Sequence, residues 1–367
     1  MKLVIHGRRA VRGACLAAAM VAVAIAVPAL SSAAGTSGKA AKQSIVWLEL
    51  GSGNPYWDAQ HQAASAYLTK LGYSFKSVSG QGKPESQSAT LRQLADQGVN
   101  VVMLNPVDPK ALVPAVKYAE SKGTKVLSVY ASMPSANASV VFDEIRSGRV
   151  AGQYALGLLK QRYGKVSGKV AVLEGILGQP ASDLRAKGFV DYMKQHGVDV
   201  VATQPTDWTA DKASATMQDW LVKYPDLSMV YGLSDTITVP AVNVAERQNR
   251  LCTQQSDWSK NSNCIAFVSV DGIFLNEVGK GRLYATELYS PYWTGYAFSK
   301  FAVDLAKGKA TKKLNMVDSM LVTPKNASCV TKMATDMQTK LKTFPFVGSL
   351  QTIASTKYHC SVLDAGQ

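Results

Sequence analysis

Short β-branched runs alternate with amphipathic stretches from Ser44 onward, and this order constrains the fold more than any other feature of the sequence. Continuous apolar runs are typical of buried parallel strands, and the stretches between them carry apolar residues at helical spacing. The pattern therefore predicts an α/β protein whose parallel sheets are flanked by helices. The predicted strands are 44–50, 73–79, 99–104, 125–130, 168–174, 198–204, 228–232, 265–270 and 283–287.

These strands fall into two sets, each spanning about 100 residues, which is a usual domain size. A chain of 367 residues also has room for two or three domains. We therefore expect two similar lobes in series, with segment 133–146 as a crossing between them. One helix is predicted over 182–196 with Ser182 as its cap, and another begins at Asp108 and is interrupted or restarted at Pro114.

The N-terminal residues 1–34 have the composition of a secretory signal peptide. A basic start precedes an apolar stretch from Ala14 to Leu30, and small residues follow at 31–34. A membrane anchor is the alternative, but the apolar stretch is shorter than the roughly 20 residues that a membrane span needs. We expect cleavage of residues 1–34 and export of the remaining chain.

Four cysteines remain after such cleavage, an even number that suits disulfides in an exported protein. Three pairings are possible. We favour Cys252–Cys264 and Cys329–Cys360, because each pair closes a short loop within its own segment. A zinc site is the alternative, but no CxxC spacing supports it, so we expect no metal.

Basic residues outnumber acidic ones by 40 to 26, and the net charge is +14. Such an excess is compatible with nucleic-acid binding. However, the lysines are dispersed along helical stretches, with no run longer than Lys312–Lys313. A solvated basic surface is the better interpretation, and we expect no nucleic-acid partner.

Sequence signatures of the common catalytic and nucleotide-binding sites are absent. The chain contains no GxSxG, HExxH, GxxxxGK[ST] or GxGxxG motif, so we expect neither an enzyme nor a cofactor. His61 and His196 lie in helical stretches with polar neighbours and are interpreted as surface residues. Asp207, Asp235 and Asp271 leave open an exported carbohydrate-processing enzyme that uses paired carboxylates.

The loops that follow the predicted strands carry amides, carboxylates, a guanidinium and aromatic rings. Ligands of open α/β sheets bind beyond the carboxyl ends of the strands. Amides and charged groups satisfy hydroxyls, and flat rings cover the C–H face of a sugar. Taken singly, Asp235 is more simply a helix cap. The residues are Asn54, Tyr56, Trp57, Asn105, Asp108, Tyr130, Arg185, Asp207, Trp208, Ser234, Asp235, Asp271, Tyr289, Pro291, Tyr292 and Trp293.

These loops resemble those of the periplasmic sugar-binding components of bacterial ABC importers, in particular the ribose-binding type. The resemblance covers about residues 44–322, and it depends on the order and spacing of several short motifs. They are N-P-Y-W at 54–57, L-N-P-V-D at 104–108, R-A-K-G-F at 185–189, Q-P-T-D-W at 204–208, S-D at 234–235, V-D-G at 270–272 and A-T-E-L-Y-S-P at 285–291.

The resemblance implies a role for each matching residue. Asn54 and Asn105 would hydrogen-bond ligand hydroxyls from the first lobe. Tyr56 and Trp57 would form one aromatic wall and Trp208 the opposite one. Arg185, on the first turn of its helix, would donate to ligand oxygens, and Asp271 would accept from paired hydroxyls.

Three positions depart from the ribose-binding pattern. Tyr130-Ala131 replaces an Asp-Arg pair, Ser234 replaces Asn, and Tyr289 replaces Gln. Hydroxyl partners are lost and two rings are gained, so we do not expect ribose itself. A larger, flatter or less hydroxylated ligand is expected, such as a modified or deoxy sugar, a cyclic polyol or a non-sugar metabolite.

The resemblance also implies an overall architecture, that of a type I periplasmic binding protein. Two Rossmann-like lobes would be joined by a three-stranded hinge near 143–147, 287–291 and 317–321. The expected N-terminal lobe is 44–144 plus 290–318, and the C-terminal lobe is 145–289 plus 319–328. A tail at 329–367 would be tethered by Cys329–Cys360.

The function implied is that of a monomeric periplasmic receptor. It would deliver a sugar or polyol to an ABC permease and ATPase on separate chains. A ligand sensor for a kinase or chemoreceptor shares this fold and remains an alternative. A DNA-binding regulator is opposed by the leader and by the lack of an N-terminal helix-turn-helix.

Overall fold

The computed structural model describes residues 43–253, 257–309 and 311–362, and the predicted signal peptide lies outside them. Six parallel strands form the first sheet, in the order β2-β1-β3-β4-β5-β11. Their bounds are β1 Ser44–Glu49, β2 Ser74–Ser79, β3 Val101–Leu104, β4 Lys125–Val129, β5 Ala138–Val141 and β11 Leu314–Met316.

The second sheet repeats this order as β7-β6-β8-β9-β10-β12. Five strands are parallel, and the last, β12, is antiparallel to β10. Their bounds are β6 Lys169–Glu174, β7 Asp199–Pro205, β8 Leu227–Gly232, β9 Ala266–Asp271, β10 Ala285–Leu288 and β12 Met320–Val322. Both sheets follow the doubly wound 2-1-3-4-5 order, so the predicted fold class is confirmed.

The helices connect these strands, and several of them begin at a proline, whose fixed φ suits the first helical position. Examples are α1, α5 and α10. The bounds are α1 Pro55–Lys70, α2 Pro84–Asp96, α3 Val113–Ser121, α4 Glu144–Tyr163, α5 Pro180–Gln195, α6 Ala210–Lys223, α7 Asp235–Arg247, α8 Asp257–Lys260, α9 Leu275–Gly279, α10 Pro291–Ala306, α11 Ala327–Thr339 and α12 Leu350–Thr352, followed by a π-helix at Ile353–Lys357. Within the described residues, no helix combines the length and the apolar character needed to cross a membrane.

The predicted start of α5 is wrong, and of the two alternatives given for α3 the structure shows the restart at Pro114 and not a helix that begins at Asp108. Helix α5 begins at Pro180 instead of residue 182, and the Ser182 hydroxyl accepts a hydrogen bond from the Gly175 amide (2.9 Å) instead of capping the helix. The Asp108 carboxylate caps only a turn, and α3 begins at Val113, directly before Pro114. In both places the side chain satisfies a loop amide, which periodicity cannot reveal.

The central strands are buried on both faces, which explains their continuous apolar sequences. Strands β3 and β8 are buried throughout, whereas the outer strands β2 and β7 are largely exposed or half-buried. Helices α4 and α5 pack closely beside the second sheet. A Cβ atom on Gly148 would lie 2.1 Å from the Arg185 carbonyl oxygen, so only glycine permits this approach.

Within the part of the chain that the structure describes, the backbone crosses between the sheets three times. It leaves the first sheet after β5 and enters α4, returns after β10 into α10, and passes from β11 to β12 through residues 317–319. The crossings predicted at 143–147, 287–291 and 317–321 overlap these positions. The crossing predicted at 133–146 is wrong over most of its length, because residues 138–141 form β5 of the first sheet. Our lobe boundaries follow from the three crossings and remain a proposal.

The C-terminal segment after β12 packs against the region of the crossings. Helix α11 contacts both α9 and α10. Phe346 stacks on Tyr296 of α10, with ring centroids 4.7 Å apart. The Asp318 carboxylate, in the third crossing, accepts from the Leu350 and Gln351 amides (2.9 and 2.8 Å). The described residues of the tail are therefore an integral part of the fold.

Two disulfides join the four cysteines in the favoured pairing. Cys252 bonds Cys264 and Cys329 bonds Cys360, across sequence separations of 12 and 31 residues. The first link closes the polar stretch 247–263, and its two cysteines are fully buried. The second ties the start of α11 to the end of the tail.

We expect the longer link to contribute more stability than the shorter one. The double variant Cys329→Ala/Cys360→Ala should lose ~4 kcal/mol of unfolding free energy and Cys252→Ala/Cys264→Ala ~3 kcal/mol, because the longer loop restricts the unfolded chain more. Urea unfolding of both variants and of the oxidised parent measures this. An unfolding free energy equal to the parent's would contradict it.

Candidate functional site

One cavity between the two sheets is lined by ten of the sixteen strand-end residues named from the sequence; Asp108, Asp207, Asp235, Pro291, Tyr292 and Trp293 do not line it. Its volume is about 50 Å³. The lining residues are the predicted Asn54, Tyr56, Trp57, Asn105, Tyr130, Arg185, Trp208, Ser234, Asp271 and Tyr289, together with Leu50, Gln179 and Ala181. We call this the inner cavity. An adjoining outer cavity of about 290 Å³ shares Leu50, Asn54, Trp57 and Trp208 with it.

Helix N-termini from both lobes reach the inner cavity. Asn54 caps α1, its side-chain oxygen accepting from the Tyr56 amide (2.9 Å), and Ser234 caps α7 in the same way through the Thr236 amide (3.1 Å). Asn54 Nδ2 also donates to Thr236 Oγ1 at 3.4 Å. Asn54 thus connects the two lobes in this structure, and both ends of its amide contact protein.

Three buried tyrosines use their hydroxyls on protein partners. Tyr56 donates to the Tyr289 carbonyl oxygen (2.6 Å), and Tyr289 donates to Glu144 Oε2 (2.9 Å). The Tyr130 hydroxyl lies 3.1 Å from that of Tyr56 and accepts from Gln60. Burial raises the pKa of all three phenols, so they are neutral donors at physiological pH. Their rings therefore offer the cavity mainly apolar surface.

The indole of Trp208 is fixed by its surroundings. Its Nε1 donates to Gln179 Oε1 (2.8 Å), and Gln179 is buried. The ring lies against the backbone of Gly175, where an added Cβ would come within 2.0 Å of the indole. Trp57 lies in the same way against Gly51, at 3.4 Å from such a Cβ. Each lobe thus contributes one partly buried indole.

Arg185 is fully buried and paired. Its Nε donates to Glu144 Oε2 (2.8 Å), and its Nη1 donates to the Leu233 carbonyl. Its guanidinium lies 4.9 Å from the centre of the Tyr289 ring. Burial opposes the charge, but the Glu144 carboxylate raises the pKa of Arg185 well above its usual value. The position differs slightly from expectation, since Arg185 is on the second turn of α5, which begins at Pro180.

Asp271 is the acidic residue of the inner-cavity lining. Its carboxylate accepts from the Ser234 hydroxyl and from the Ile273 amide (3.2 Å). Burial, and then the neighbouring Asp235 charge, raise the pKa of Asp271 well above its ordinary value, while Arg185 acts in the opposite direction. Without a ligand the raised pKa favours the neutral carboxyl, and ligand hydroxyls that donate to the carboxylate would favour its ionised form.

Several residues at the cavity have a left-handed backbone. Tyr130 has a φ of 65°, Trp208 of 60° and Asp271 of 90°. Each of these residues ends a strand or follows one. Its backbone turns away from the extended direction of the strand, and its side chain lines the inner cavity. Such a conformation costs a non-glycine residue about 1 to 3 kcal/mol and is typical of functional sites.

Three interpretations from the sequence need correction. Asp235 is the first residue of α7 and not its cap, and its carboxylate accepts from the Phe274 amide (3.0 Å) and Thr286 (2.8 Å). His61 is not a surface residue, since its side chain is only 14% exposed and its Nε2 lies 3.5 Å from Glu49 Oε2. Asp207 is exposed, pairs with Lys212 and lines only the outer cavity.

Three buried polar residues that hold the site were not predicted from the sequence. They are Glu49 beside Asn105, Glu144 beside Arg185, and Gln179 beside Trp208. A carboxylate as the last residue of an otherwise apolar strand was the available signal for Glu49. In residues 43–253, 257–309 and 311–362, no cluster of three metal-binding side chains is present.

Two α/β lobes that enclose polar and aromatic residues between their strand ends define a class of two-lobed binding proteins. The chain belongs to the periplasmic binding protein family, because residues 45–310 match the family described as periplasmic binding protein domain.

Relatives with known names support this assignment. The chain is 27% identical over 305 residues to the ribose import binding protein RbsB of Escherichia coli, covering 82% of this chain and 97% of that one. A crystal structure of an ABC transporter solute-binding protein from Mycobacterium smegmatis, with bound glycerol, is 26% identical with a TM-score of 0.69, covering 78% of this chain and 96% of that one. A galactofuranose binding protein has the same fold, with 22% identity and a TM-score of 0.71, covering 81% of this chain and 99% of that one.

We expect Gly175→Ala to displace the Trp208 indole, because the new methyl group would overlap the ring. The tryptophan fluorescence spectrum should change, and affinity for a ligand in the inner cavity should fall at least tenfold. Gly157→Ala in α4 is the matched control, since no atom lies within 4 Å of its added Cβ. The control should gain about 0.5 to 1 kcal/mol of stability. Equal fluorescence and affinity for Gly175→Ala and the parent would contradict the prediction.

Asp235 should make stability depend on pH. Burial raises the pKa of Asp235 from 3.8 to about 6. Between these values the unfolded carboxyl ionises while the folded one stays protonated, so rising pH favours unfolding. The unfolding free energy of Asp235→Asn should therefore increase relative to the parent from pH 4 to pH 6 and then level off. Urea titrations at several pH values test this, and parallel curves would exclude it.

Proposed function

We propose that the chain is an exported solute-binding protein that captures a sugar or polyol between its lobes and delivers it to an ABC transporter permease. The observation that carries this proposal is the convergence of ten strand-end residues on one cavity between the lobes. Family membership supports it, since relatives such as RbsB are named as import binding proteins.

The chemistry of the lining suits a compact hydroxylated ligand. Asp271 can accept from hydroxyls, and Arg185 retains Nη2, which has no hydrogen-bond partner among the described residues. Trp57 and Trp208 offer flat apolar surfaces to the C–H faces of such a ligand. A hydroxyl both donates and accepts, so a polyol or sugar can satisfy both charged groups at once.

The names of several relatives point to the same ligand class. They include a galactofuranose-binding protein of Escherichia coli and a xylitol-binding protein of Mycolicibacterium smegmatis. Tyr130 and Tyr289 commit their hydroxyls to Tyr56 and Glu144, so they favour a ligand with an apolar face. A modified sugar, a deoxy sugar or a polyol fits this lining better than ribose.

Binding would act through closure of the lobes. A ligand that contacts Arg185 and Asp271 on one side and Asn105 on the other interacts fully only when the lobes are close. Its differential affinity therefore shifts the hinge equilibrium towards the closed form, which a permease recognises. The leader at 1–34 supports periplasmic action, and the permease and ATPase are proposed as separate chains.

A hydrolytic function is disfavoured by the carboxylates. Glycoside hydrolysis needs two carboxyl groups that flank the scissile bond. Among the described residues that line the inner cavity, Asp271 is the only Asp or Glu. The nearby Asp235 lies behind the lining, where its carboxylate accepts hydrogen bonds from Phe274 and Thr286. We therefore propose binding without chemical change of the ligand.

A thermal-shift panel tests the proposal on the chain without residues 1–34. The panel contains D-ribose, D-allose, L-arabinose, D-fucose, xylitol, myo-inositol and glycerol. A compound present at 100 times its dissociation constant should add ~2.7 kcal/mol of stability. Recovery of the bound compound unchanged excludes an enzyme, and a panel without any shift would contradict a sugar or polyol receptor.

Asp271→Asn should weaken binding of any compound that shifts the parent, by tenfold or more, because one charge-assisted hydrogen bond contributes ~1.5 to 3 kcal/mol. Isothermal titration calorimetry measures the change. Asp219→Asn, on the exposed face of α6, is the matched control and should bind like the parent. Equal affinities of Asp271→Asn and the parent would remove Asp271 from the site.

A further inference from the structure

Glu49 is a buried acid whose position is not explained by direct contact with a ligand. It is the last residue of β1, its side chain is 1% exposed, and it does not line the inner cavity. Burying a carboxylate costs several kcal/mol unless hydrogen bonds compensate it. Its partners should therefore indicate why an acid occupies this position.

The Glu49 carboxylate accepts two hydrogen bonds through Oε1. One comes from the Leu50 amide (2.8 Å) and the other from the side-chain nitrogen of Asn105 (2.5 Å). Because Glu49 Oε1 already accepts from the Leu50 amide, it acts as an acceptor, so the Asn105 amide directs its nitrogen towards Glu49. The hydrogen bond to Glu49 therefore determines which way this amide is oriented, and packing alone does not.

The backbone of Asn105 is held separately. Its amide donates to the Leu48 carbonyl (2.9 Å), and its carbonyl accepts from Gln87 Nε2 (2.6 Å). Gln87 Oε1 in turn accepts from the Val107 amide (2.8 Å). With the backbone fixed by β1 and α2, rotation of the Asn105 side chain is the remaining freedom, and Glu49 removes it.

The side-chain oxygen of Asn105 has no hydrogen-bond partner among the described residues. Oδ1 is buried and accepts no hydrogen bond from any described residue, although Asn105 lines the inner cavity. A buried acceptor without a donor costs about 1 to 3 kcal/mol. A ligand hydroxyl that donates to Oδ1 would recover this energy.

We propose that Glu49 is a positioning residue that orients the Asn105 amide, so that its oxygen is kept for a hydroxyl donor of the bound solute. This inference rests on the proposed function and deepens it. It predicts that the chain prefers a ligand with a free hydroxyl at the Asn105 contact over the analogue in which that hydroxyl is replaced by hydrogen.

Two variants separate orientation from packing. Glu49→Gln keeps an oxygen that accepts from Asn105 and Leu50, whereas Glu49→Met has similar bulk and no acceptor. Glu174→Met, at the last residue of β6 in the second sheet, is the matched control, because the same change is made at the equivalent strand end.

The first measurement needs no ligand. Selective ¹⁵N labelling of asparagine, with Asn105→Asp for assignment, reports hydrogen exchange of the Asn105 side-chain amide. We expect slow exchange in the parent, Glu49→Gln and Glu174→Met, and at least tenfold faster exchange in Glu49→Met. Equally slow exchange in Glu49→Met would overturn the proposal, since the amide would then be fixed without Glu49.

The second measurement uses the thermal-shift panel and, for each compound that shifts the parent, its singly deoxygenated analogues. Glu49→Gln should retain the parent's preference for one particular hydroxyl. Glu49→Met should bind tenfold or more weakly and lose that preference, which a purely structural defect would not do selectively. If no panel compound binds the parent, the proposed function fails, and the exchange measurement still decides the role of Glu49.

Discussion

The buried ion pair between Arg185 and Glu144 connects the parts of the molecule on which the site depends. Glu144 begins α4 directly after the first crossing, and Arg185 lies on α5 of the second lobe. Glu144 also accepts from the Tyr289 hydroxyl at the second crossing. The Glu144 carboxylate at the first crossing therefore links Tyr289 at the second crossing to Arg185, and both partners line the inner cavity. Glycines at the α4–α5 contact are needed because any larger residue would separate these partners.

Much of the fold could be predicted because parallel strands that are buried on both faces have continuous apolar sequences. Each predicted strand matches an observed one to within about two residues, the usual uncertainty of strand ends. The cavity residues could also be predicted, since strand ends of a doubly wound sheet converge on one edge. The disulfides followed from short separations. These features depend on local sequence or on general topology.

The residues that hold the site could not be predicted, because their partners are distant in sequence. Glu49 and Asn105 are 56 positions apart, and Arg185 and Glu144 are 41 apart. A single sequence contains no record of such pairs. Ser182 shows the same limit, because its hydroxyl binds the Gly175 amide across a loop and not the helix that follows.

Aromatic rings outnumber the free polar groups around the inner cavity. Phe142 stacks on Tyr289 with ring centroids 3.7 Å apart, and Tyr130 meets Phe298 edge to face. The hydroxyls of these tyrosines bind protein groups, so we propose Arg185, Asp271 and Asn105 as the lining residues that make polar contacts with the ligand. With few polar groups in a mainly aromatic lining, we expect the proposed site to distinguish ligands by the position of a hydroxyl more than by the number of hydroxyls.

The tail that follows β12 affects how the lobes can move. Asp318 in the third crossing binds residues 350–351, Ser290 in the second crossing contacts Met337, and Lys70 of α1 donates to the Lys342 carbonyl. Any swing of one lobe against the other must carry these contacts along or break them. In the closure that we propose, these contacts limit how far the lobes can separate, so substitutions in the tail, away from the proposed ligand site, are expected to change how tightly the solute is retained.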